Sequence, residues 1–297
     1  MKFGTEEQKQ KYLPRMATGE IRAAFSLSEP EVGSDVQGIK TAAKKIDDTH
    51  YEINGQKMWV TNGLLSGLVF VLVKTDPNAD PKYKGMTCFI CEKEPGQADN
   101  DGLTIPPKIK KLGYKGVEST ELVFDGYKVP AENILAGEDE GLGKGFTQMM
   151  DALEVGRVNV AARGVGIAQR ALELALKYSQ ERWTFGKPIA EHQAIQFKLA
   201  DMATQVDAAR LLTQRAARMK DSGERSDIEA GMAKLFASEA GRFCAEECLR
   251  IHGGYGYSKE YEIERLYRDA PLLLIGEGTS EIQRMVIGRK LIERHKI

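Results

Sequence analysis

The hydrophobic pattern of this chain changes period once, and that change restricts the folds open to it. Between residues 21 and 136 the apolar residues come in short, β-branched runs: Tyr51 to Gly55, Met58 to Thr61, Leu68 to Val73, Met86 to Ile90 and Glu121 to Phe124. Asn54-Gly55, Asn62-Gly63 and Asp125-Gly126 stand at run ends as turn signals, so the runs read as strands. No helical pattern alternates with them, which points to an antiparallel sandwich or barrel rather than a doubly wound sheet. From Gly141 onward the period is about 3.6. Ile195, Leu199, Met202, Val206 and Ala209 form one helical stripe. Ile228, Met232, Leu235, Phe236 and Phe243 share an arc on the next helix, with Gly223 between the two. Residues 142–178 give a third, long helix and 280–295 a fourth, which together make a four-helix bundle. Ahead of the β region lies a charged helical pattern, Glu6 to Tyr12, closed by Leu13-Pro14. The expectation is an α+β multidomain chain: a helix within 1–20, a middle β domain at 21–136 and a helical bundle domain at 137–297.

Composition narrows the partners. With 297 residues, 42% of them hydrophobic, the chain can bury sizeable cores, and a net charge of −1 gives no attraction for nucleic acid or an anionic membrane. No apolar run nears the ~20 residues needed to cross a bilayer, and the first residues do not begin a signal peptide. The expected setting is soluble and cytoplasmic, or the mitochondrial matrix in a eukaryote. Cys88 and Cys91 have a metal-binding spacing, with Cys244 and Cys248 as conceivable partners. On a strand, however, residues three apart point to opposite faces, so packed free thiols and no metal are expected. His50, His192, His252 and His295 show no ligand spacing. The glycine-rich stretch from Gly141 to Gly145 follows no parallel strand, so it reads as a flexible turn into the long helix and not as a phosphate cradle.

The chemistry concentrates at residues 272–288. An apolar run, Leu272 to Ile275, ends in Gly276, Glu277, Gly278 and Thr279, and an amphipathic helix pattern begins at once. One carboxylate set between two glycines beside apolar walls is raised in pKa by desolvation, which suits a base for a weakly acidic C–H bond. Taken alone, Glu277 fits better an acid at a helix N-terminus stabilised by the macrodipole.

The remaining motifs weigh against that blander reading. Phe25 to Asp35 (with Ser28, Gly33 and Ser34), Trp59 to Gly63, Arg182 to Pro188, and Ile251 to Tyr257 leading into the Glu277 segment occur in this order. Together they resemble the acyl-CoA dehydrogenase flavoprotein family across essentially the whole chain. The resemblance implies that family's fold, with a residual N-terminal helix, a middle β domain and a C-terminal helical bundle, and FAD as cofactor. Trp59 and Thr61 lie two apart on a strand and so face one way. By resemblance Trp59 packs beside the isoalloxazine and Thr61 hydrogen-bonds the flavin nitrogen that accepts hydride. Phe25, Leu27, Ser28, Gly33 and Ser34 are implied around the flavin oxygens and pyrophosphate, and Thr279 and Glu281 also on the cofactor. Arg182, Thr184, Phe185, Gly253 and Gly254 are implied to reach the adenosine diphosphate of a neighbouring subunit's FAD, which calls for a homodimer or a homotetramer.

Glu277 falls where most of the family place the catalytic base. Some relatives place it on the long helix, immediately before an arginine; here that arginine is Arg157 and the residue before it is Gly156. Arg157 is expected to steady the carboxylate, the alternative being a surface ion pair with Glu154. Ser34, Glu154, Arg157, Gly276 and Gly278 are the implied substrate contacts. The implied reaction is α,β-dehydrogenation of an acyl-CoA, as in β-oxidation, with electrons passing to an electron-transfer flavoprotein. Three residues depart from the family pattern: Val32 in place of a small residue, Arg250 in place of an amide or acid, and Gly276 where several relatives carry tyrosine. The segment from Phe3 to Lys9 resembles one that normally follows a whole N-terminal helical domain, so a truncated chain is expected. Competing readings are an oxidase on the same fold and a non-catalytic FAD-binding fragment. A nicotinamide dehydrogenase is disfavoured, because no strand-GxGxxG-helix unit occurs.

Overall fold

The computed structural model describes residues 1–296, which divide into two compact units. The first comprises residues 1–111 and 115–151, the second residues 112–114 and the chain from Ala152 onward.

In the first unit, helix α1 (Glu6–Ala17) starts at a reciprocal cap. The Thr5 hydroxyl accepts from the Gln8 N–H at 3.2 Å, and the Gln8 side chain accepts from the Thr5 N–H at 3.2 Å. The helix runs through Pro14, past its expected end. Eight strands then form one curled sheet: β1 (Ala23–Ser26), β2 (Ala42–Lys45), β3 (His50–Thr61), β4 (Leu68–Lys74), β5 (Met86–Glu92), β6 (Asp99–Asn100), β7 (Leu103–Thr104) and β8 (Ser119–Pro130). Most pairings are antiparallel as expected, but β1 lies parallel to β4, and β2 touches β4 in parallel at Ala42.

Asn54-Gly55 and Asp125-Gly126 do not end strands. Both lie inside the long β3–β8 pair, at a register shift between Ile53 and Gly55. Gly55 has φ +139°, and a Cβ there would stand 2.6 Å from the Thr41 Cα, so close approach of backbone explains this glycine. Asn54 contributes its side-chain oxygen to the Gly126 N–H at 2.8 Å. Cys91 packs among Tyr51, Ile53, Phe89 and Leu122, whereas Cys88 packs among Val32, Ile39, Leu72 and Met149. The two thiols therefore occupy opposite faces of β5, and all four cysteines are free and buried. A short helix α2 (Gly137–Gly141) precedes Gly145, where a Cβ would lie 2.3 Å from the Cys88 nitrogen. The glycine-rich stretch is thus a closely packed turn.

The second unit holds most of α3 (Gly145–Glu181), then α4 (Gln193–Asp221), α5 (Asp227–His252), α6 (Ile263–Ile275) and α7 (Ser280–Arg294). The expected four long helices are joined by α6, whose last residues are the apolar run ending at Ile275 and which has Pro271 inside it. The α4 stripe holds, with Met202, Val206 and Ala209 buried. The α5 stripe does not: of its five residues only Ile228 is buried. The buried face is instead Ala230, Ala233, Ala237, Ala240, Cys244 and Cys248. Helices α4, α6 and α7 all pack on α5, and small residues let them come close. Gly164 of α3 shows how close, because a Cβ there would stand 2.4 Å from the Ala237 carbonyl oxygen. After α3 the chain forms a tight hairpin, β9 (Trp183–Thr184) and β10 (Lys187–Pro188), where a plain loop was expected. Among the described residues no helix is long and apolar enough to cross a membrane, and no group of three or more His, Cys, Asp or Glu is placed to hold a metal.

Candidate active site

The carboxylate at 277 sits in the turn between α6 and α7. Gly276 ends α6 in an extended conformation, Glu277 adopts a left-handed φ of 57° and Gly278 one of 88°. Thr279 is the N-cap of α7, its hydroxyl accepting from the Ile282 N–H at 3.3 Å. The first-turn acid of α7 is Glu281, exposed and 4.0 Å from Arg284, with its carboxyl held below the usual range mainly by its own backbone N–H. Glu277 precedes the cap, so the macrodipole reading does not describe it.

Its side chain lies instead on the α3 backbone. A Cβ built at Gly156 would be 2.6 Å from one Glu277 carboxylate oxygen and 2.9 Å from its Cδ. The two places where the family resemblance locates the acid, the α6–α7 turn and position 156, therefore meet at one point in space. Glycine at 156 is what admits the carboxylate. One Glu277 oxygen is buried with no hydrogen-bond partner. Burial lifts the carboxyl above its ordinary range, opposed by the charges of Arg163, Arg157 and Lys234. The Glu277 N–H also donates to nothing among the described residues.

Arg157 makes no ion pair within 4.0 Å among the described residues, and its Nε is buried without a partner. Desolvation lowers its pKa, with Glu154 and Glu277 the leading opposing charges. The alternative Arg157–Glu154 surface pair is not formed. Glu154 is taken by Lys220 and by the Ser226 hydroxyl, each at 3.0 Å. At Gly276 an added Cβ would meet only the Leu272 carbonyl oxygen, at 3.4 Å, so the place of the family's tyrosine is open.

Two residues beside Glu277 escaped the sequence reading. Lys234 of α5, wholly buried, donates to the Gly278 carbonyl at 2.7 Å and the Leu274 carbonyl at 3.4 Å. Gln283 of α7, also wholly buried, donates to the Glu277 carbonyl at 3.0 Å and the Gly278 carbonyl at 3.2 Å. Periodicity marks them only as polar residues at buried helix positions, which is a weak signal without a structure.

The residues expected on the cofactor suit a flat, polar-edged ring and a diphosphate. In the first unit the Ser28, Ser34 and Thr61 hydroxyls have no partner among the described residues, and the Ser26 and Thr120 hydroxyls are buried and unpartnered. Trp59, on a bulge of β3 with φ 64°, is 56% exposed, and Phe25 lies at the surface of β1 while Leu27 packs partly inward. Trp59 and Thr61 are both exposed, on either side of buried Val60. A Cβ on Gly33 would meet nothing within 4 Å. Val32, one of the departures, is buried against Ile39 and Leu72.

In the second unit Phe185 at the hairpin tip is 96% exposed, and the Arg182 guanidinium stands 5.7 Å over the Tyr255 ring. Thr184 shares a 3.2 Å hydrogen bond with the His192 ring. Gly253, with φ +60°, and Gly254 both border open space. Arg250 points out and pairs with Glu246 at 2.8 Å. Thr279, by contrast, already spends its hydroxyl on the α7 cap.

Comparison with known proteins identifies the family. The acyl-CoA dehydrogenase C-terminal domain profile matches residues 143–292, the middle domain profile 24–127 and the N-terminal domain profile 1–20. An acyl-CoA dehydrogenase of Bacillus subtilis is 44% identical over 98% of this chain and 73% of its own length. The acryloyl-CoA reductase (NADH) of Anaerotignum propionicum is 44% identical over 99% and 72%. The three-dimensional structure of butyryl-CoA dehydrogenase from Megasphaera elsdenii superimposes with a TM-score of 0.92 at 42% identity, covering 98% of this chain and 73% of that one. The chain belongs to the acyl-CoA dehydrogenase family, whose members are FAD-dependent flavoproteins.

Proposed function

We propose that this oxidoreductase catalyses α,β-dehydrogenation of an acyl-CoA thioester, with Glu277 as the base that takes the α-proton. The observation that carries the reading is the desolvated Glu277 carboxylate with one oxygen unclaimed by any donor. A solvated carboxylate is far too weak a base for a thioester α-C–H. Burial raises its basicity, and the neighbouring Arg157 steadies the anion so that it is not simply neutralised. The free Glu277 N–H is a donor available to the thioester carbonyl oxygen, where it stabilises charge developing as the proton leaves.

Phe25, Leu27, Ser28, Gly33, Ser34, Trp59 and Thr61 would hold the flavin, and Arg182, Thr184, Phe185, Gly253 and Gly254 the adenosine diphosphate of a second copy's cofactor, in a homodimer or homotetramer. Thr279 and Glu281 lie close in sequence to the base and complete the set by resemblance. Bound there, FAD supplies the acceptor for the β-hydrogen as hydride. Electrons then leave to an electron-transfer flavoprotein; an oxidase would differ in fast reaction of the reduced protein with oxygen. Ser34, Glu154, Arg157, Gly276 and Gly278 are the proposed substrate contacts, and the opening at Gly276 accommodates acyl groups bulkier than a tyrosine there would allow.

The likeness to an acryloyl-CoA reductase favours a second reading, in which the same residues work in reverse and Glu277 returns a proton to the α-carbon. A carboxyl with raised pKa serves as donor as well as acceptor.

The test is anaerobic mixing of the FAD-loaded protein with a panel of acyl-CoAs, followed by loss of flavin absorbance, and of the reduced protein with enoyl-CoAs for the reverse sense. Glu277→Gln is expected to stay folded and yellow yet not to bleach. Full bleaching by that variant overturns the assignment.

A further inference from the structure

We propose that Lys234 and Gln283 are the positioning residues of this site: a two-point clasp on the carbonyls of residues 274–278 that fixes the left-handed Glu277 and aims its carboxylate at Gly156. The inference rests on Glu277 acting as the base.

Glutamate is not at ease at φ 57°, and a residue held there needs surroundings that over-determine it. Here they do. Gln283 reaches up from α7 to the Glu277 and Gly278 carbonyls, and Lys234 reaches across from α5 to the Gly278 carbonyl and to that of Leu274 in the last turn of α6. Those last-turn carbonyls lack intrahelical donors and favour a cation. Gly278 lets the clasp close, since a Cβ there would stand 2.7 Å from the donating Gln283 nitrogen.

Lys234 is an expensive way to satisfy carbonyls. It is wholly buried, and it makes no ion pair within 4.0 Å among the described residues. Burial and the charge of Arg157 pull its pKa down to about 8, while Glu277, Glu239 and Glu281 oppose the fall. A buried ammonium without an ion pair lowers stability relative to an apolar side chain of the same shape. Its location explains its presence: with Arg157 and Arg163 it is one of three cations whose fields act on Glu277. Lys234 thus sets both the place of the turn and the charge felt by the base, whereas Gln283 sets only the place.

That division makes the test specific. In the 297-residue chain, Lys234→Met and Gln283→Leu are each expected to speed amide hydrogen exchange in peptides covering residues 274–279 by about tenfold or more. Lys234→Arg is expected to retain most of the protection. In turnover, both Lys234→Met and Gln283→Leu lower kcat. Only Lys234→Met also moves the acidic limb of the pH profile upward, by roughly half a unit, the scale of one charge several ångströms away in a water-like dielectric. Unchanged exchange at 274–279 in both Lys234→Met and Gln283→Leu overturns the clasp. So does an acidic limb that shifts equally in both. If Lys234→Met does not fold, Gln283→Leu and Lys234→Arg carry the exchange test. A Glu277→Gln variant that still turns over removes the base assignment instead, and the exchange result stands apart from it.

Discussion

Gly156→Ala isolates the contact on which the site is built. In the interior of a helix, alanine is more favourable than glycine by about 1 kcal/mol, so at an unencumbered position the substitution stabilises. At 156 the new methyl would fall 2.6 and 3.2 Å from the two Glu277 carboxylate oxygens and 2.9 Å from Cδ, well inside contact distance. Overpacking of that kind costs about 1–3 kcal/mol unless the neighbour swings away. The neighbour is the far end of a side chain, so part of the clash is relieved by displacement of the carboxylate. The two terms leave Gly156→Ala, with Glu277 in place, between unchanged and about 2 kcal/mol less stable than wild type by the same figures. With Glu277→Ala already in place the clash is gone, and Gly156→Ala is expected to stabilise by about 1 kcal/mol. Unfolding of the four members of the cycle in urea gives the coupling directly, expected at about 1–3 kcal/mol. Turnover of Gly156→Ala is expected to drop roughly a hundredfold, the scale of a 1 Å misplacement of a reacting group. Equal stabilisation by Gly156→Ala with and without Glu277 would refute the reasoning, because the carboxylate could not then be resting on that backbone.

Three further outcomes follow from buried groups. Because Glu277 is raised, the folded state holds its proton more tightly than the unfolded chain, whose ordinary value is 4.5; its stabilising contribution is complete below that value and lost as pH rises through the folded pKa. The gain in Tm of Glu277→Gln over wild type should therefore grow from about pH 4.5 toward neutrality, and a gain that is flat or shrinks with pH contradicts the burial argument. Lys57, wholly buried, donates to Glu29 at 2.9 Å and to the Leu27 carbonyl at 3.1 Å. Lys57→Met leaves the Glu29 carboxylate without a counter-charge, held among the described residues only by the Lys40 and Thr41 N–H groups at 2.6 and 3.0 Å, and should cost about 3–5 kcal/mol in chemical unfolding, a loss below about 1 kcal/mol being incompatible with the buried pair. Burial pushes the Cys88, Cys244 and Cys248 thiols up to about 12 and Cys91 higher still. Titration with an aromatic disulfide at pH 8 should find no reactive thiol in the native protein and all four after denaturation.

What the sequence made legible was pattern, and what it hid was context. The change of period separated the strands from the helices because it registers which faces are buried, and the opposite faces of Cys88 and Cys91 followed from strand geometry alone. Asn54-Gly55 and Asp125-Gly126 looked like chain reversals because their backbone preference is the same in a bulge as in a turn; only the pairing of β3 with β8 distinguishes them. Helix α6 was not expected, since its last turn, Leu272 to Ile275, stands in the sequence only as an apolar run ahead of Glu277. On α5 the large apolar residues set the expected stripe, yet a helix packed on several sides buries its small ones. Lys57, Lys234 and Gln283 are invisible to any count of apolar spacing, since their burial is made tolerable by carbonyls and a carboxylate supplied from elsewhere in the chain.

Glu277 stands apart from these residues because of the volume it shares with position 156. Read along the chain, positions 156 and 277 are alternatives, one glycine and one acid, separated by well over a hundred residues. Read in space, they are one position, because a side chain at 156 and the carboxylate of 277 claim the same volume. An acid can approach that point from α3 or from the α6–α7 turn, but not from both at once. Glycine at 156 is therefore a requirement of the choice made at 277. The same exclusion extends to the turn itself: Gly278 must lack a side chain for Gln283 to reach the backbone that presents the acid. Two glycines and two buried polar side chains thus converge on one carboxylate. Their joint burial is a local compromise of the kind found at functional sites, in keeping with the proposed role of Glu277 as the base.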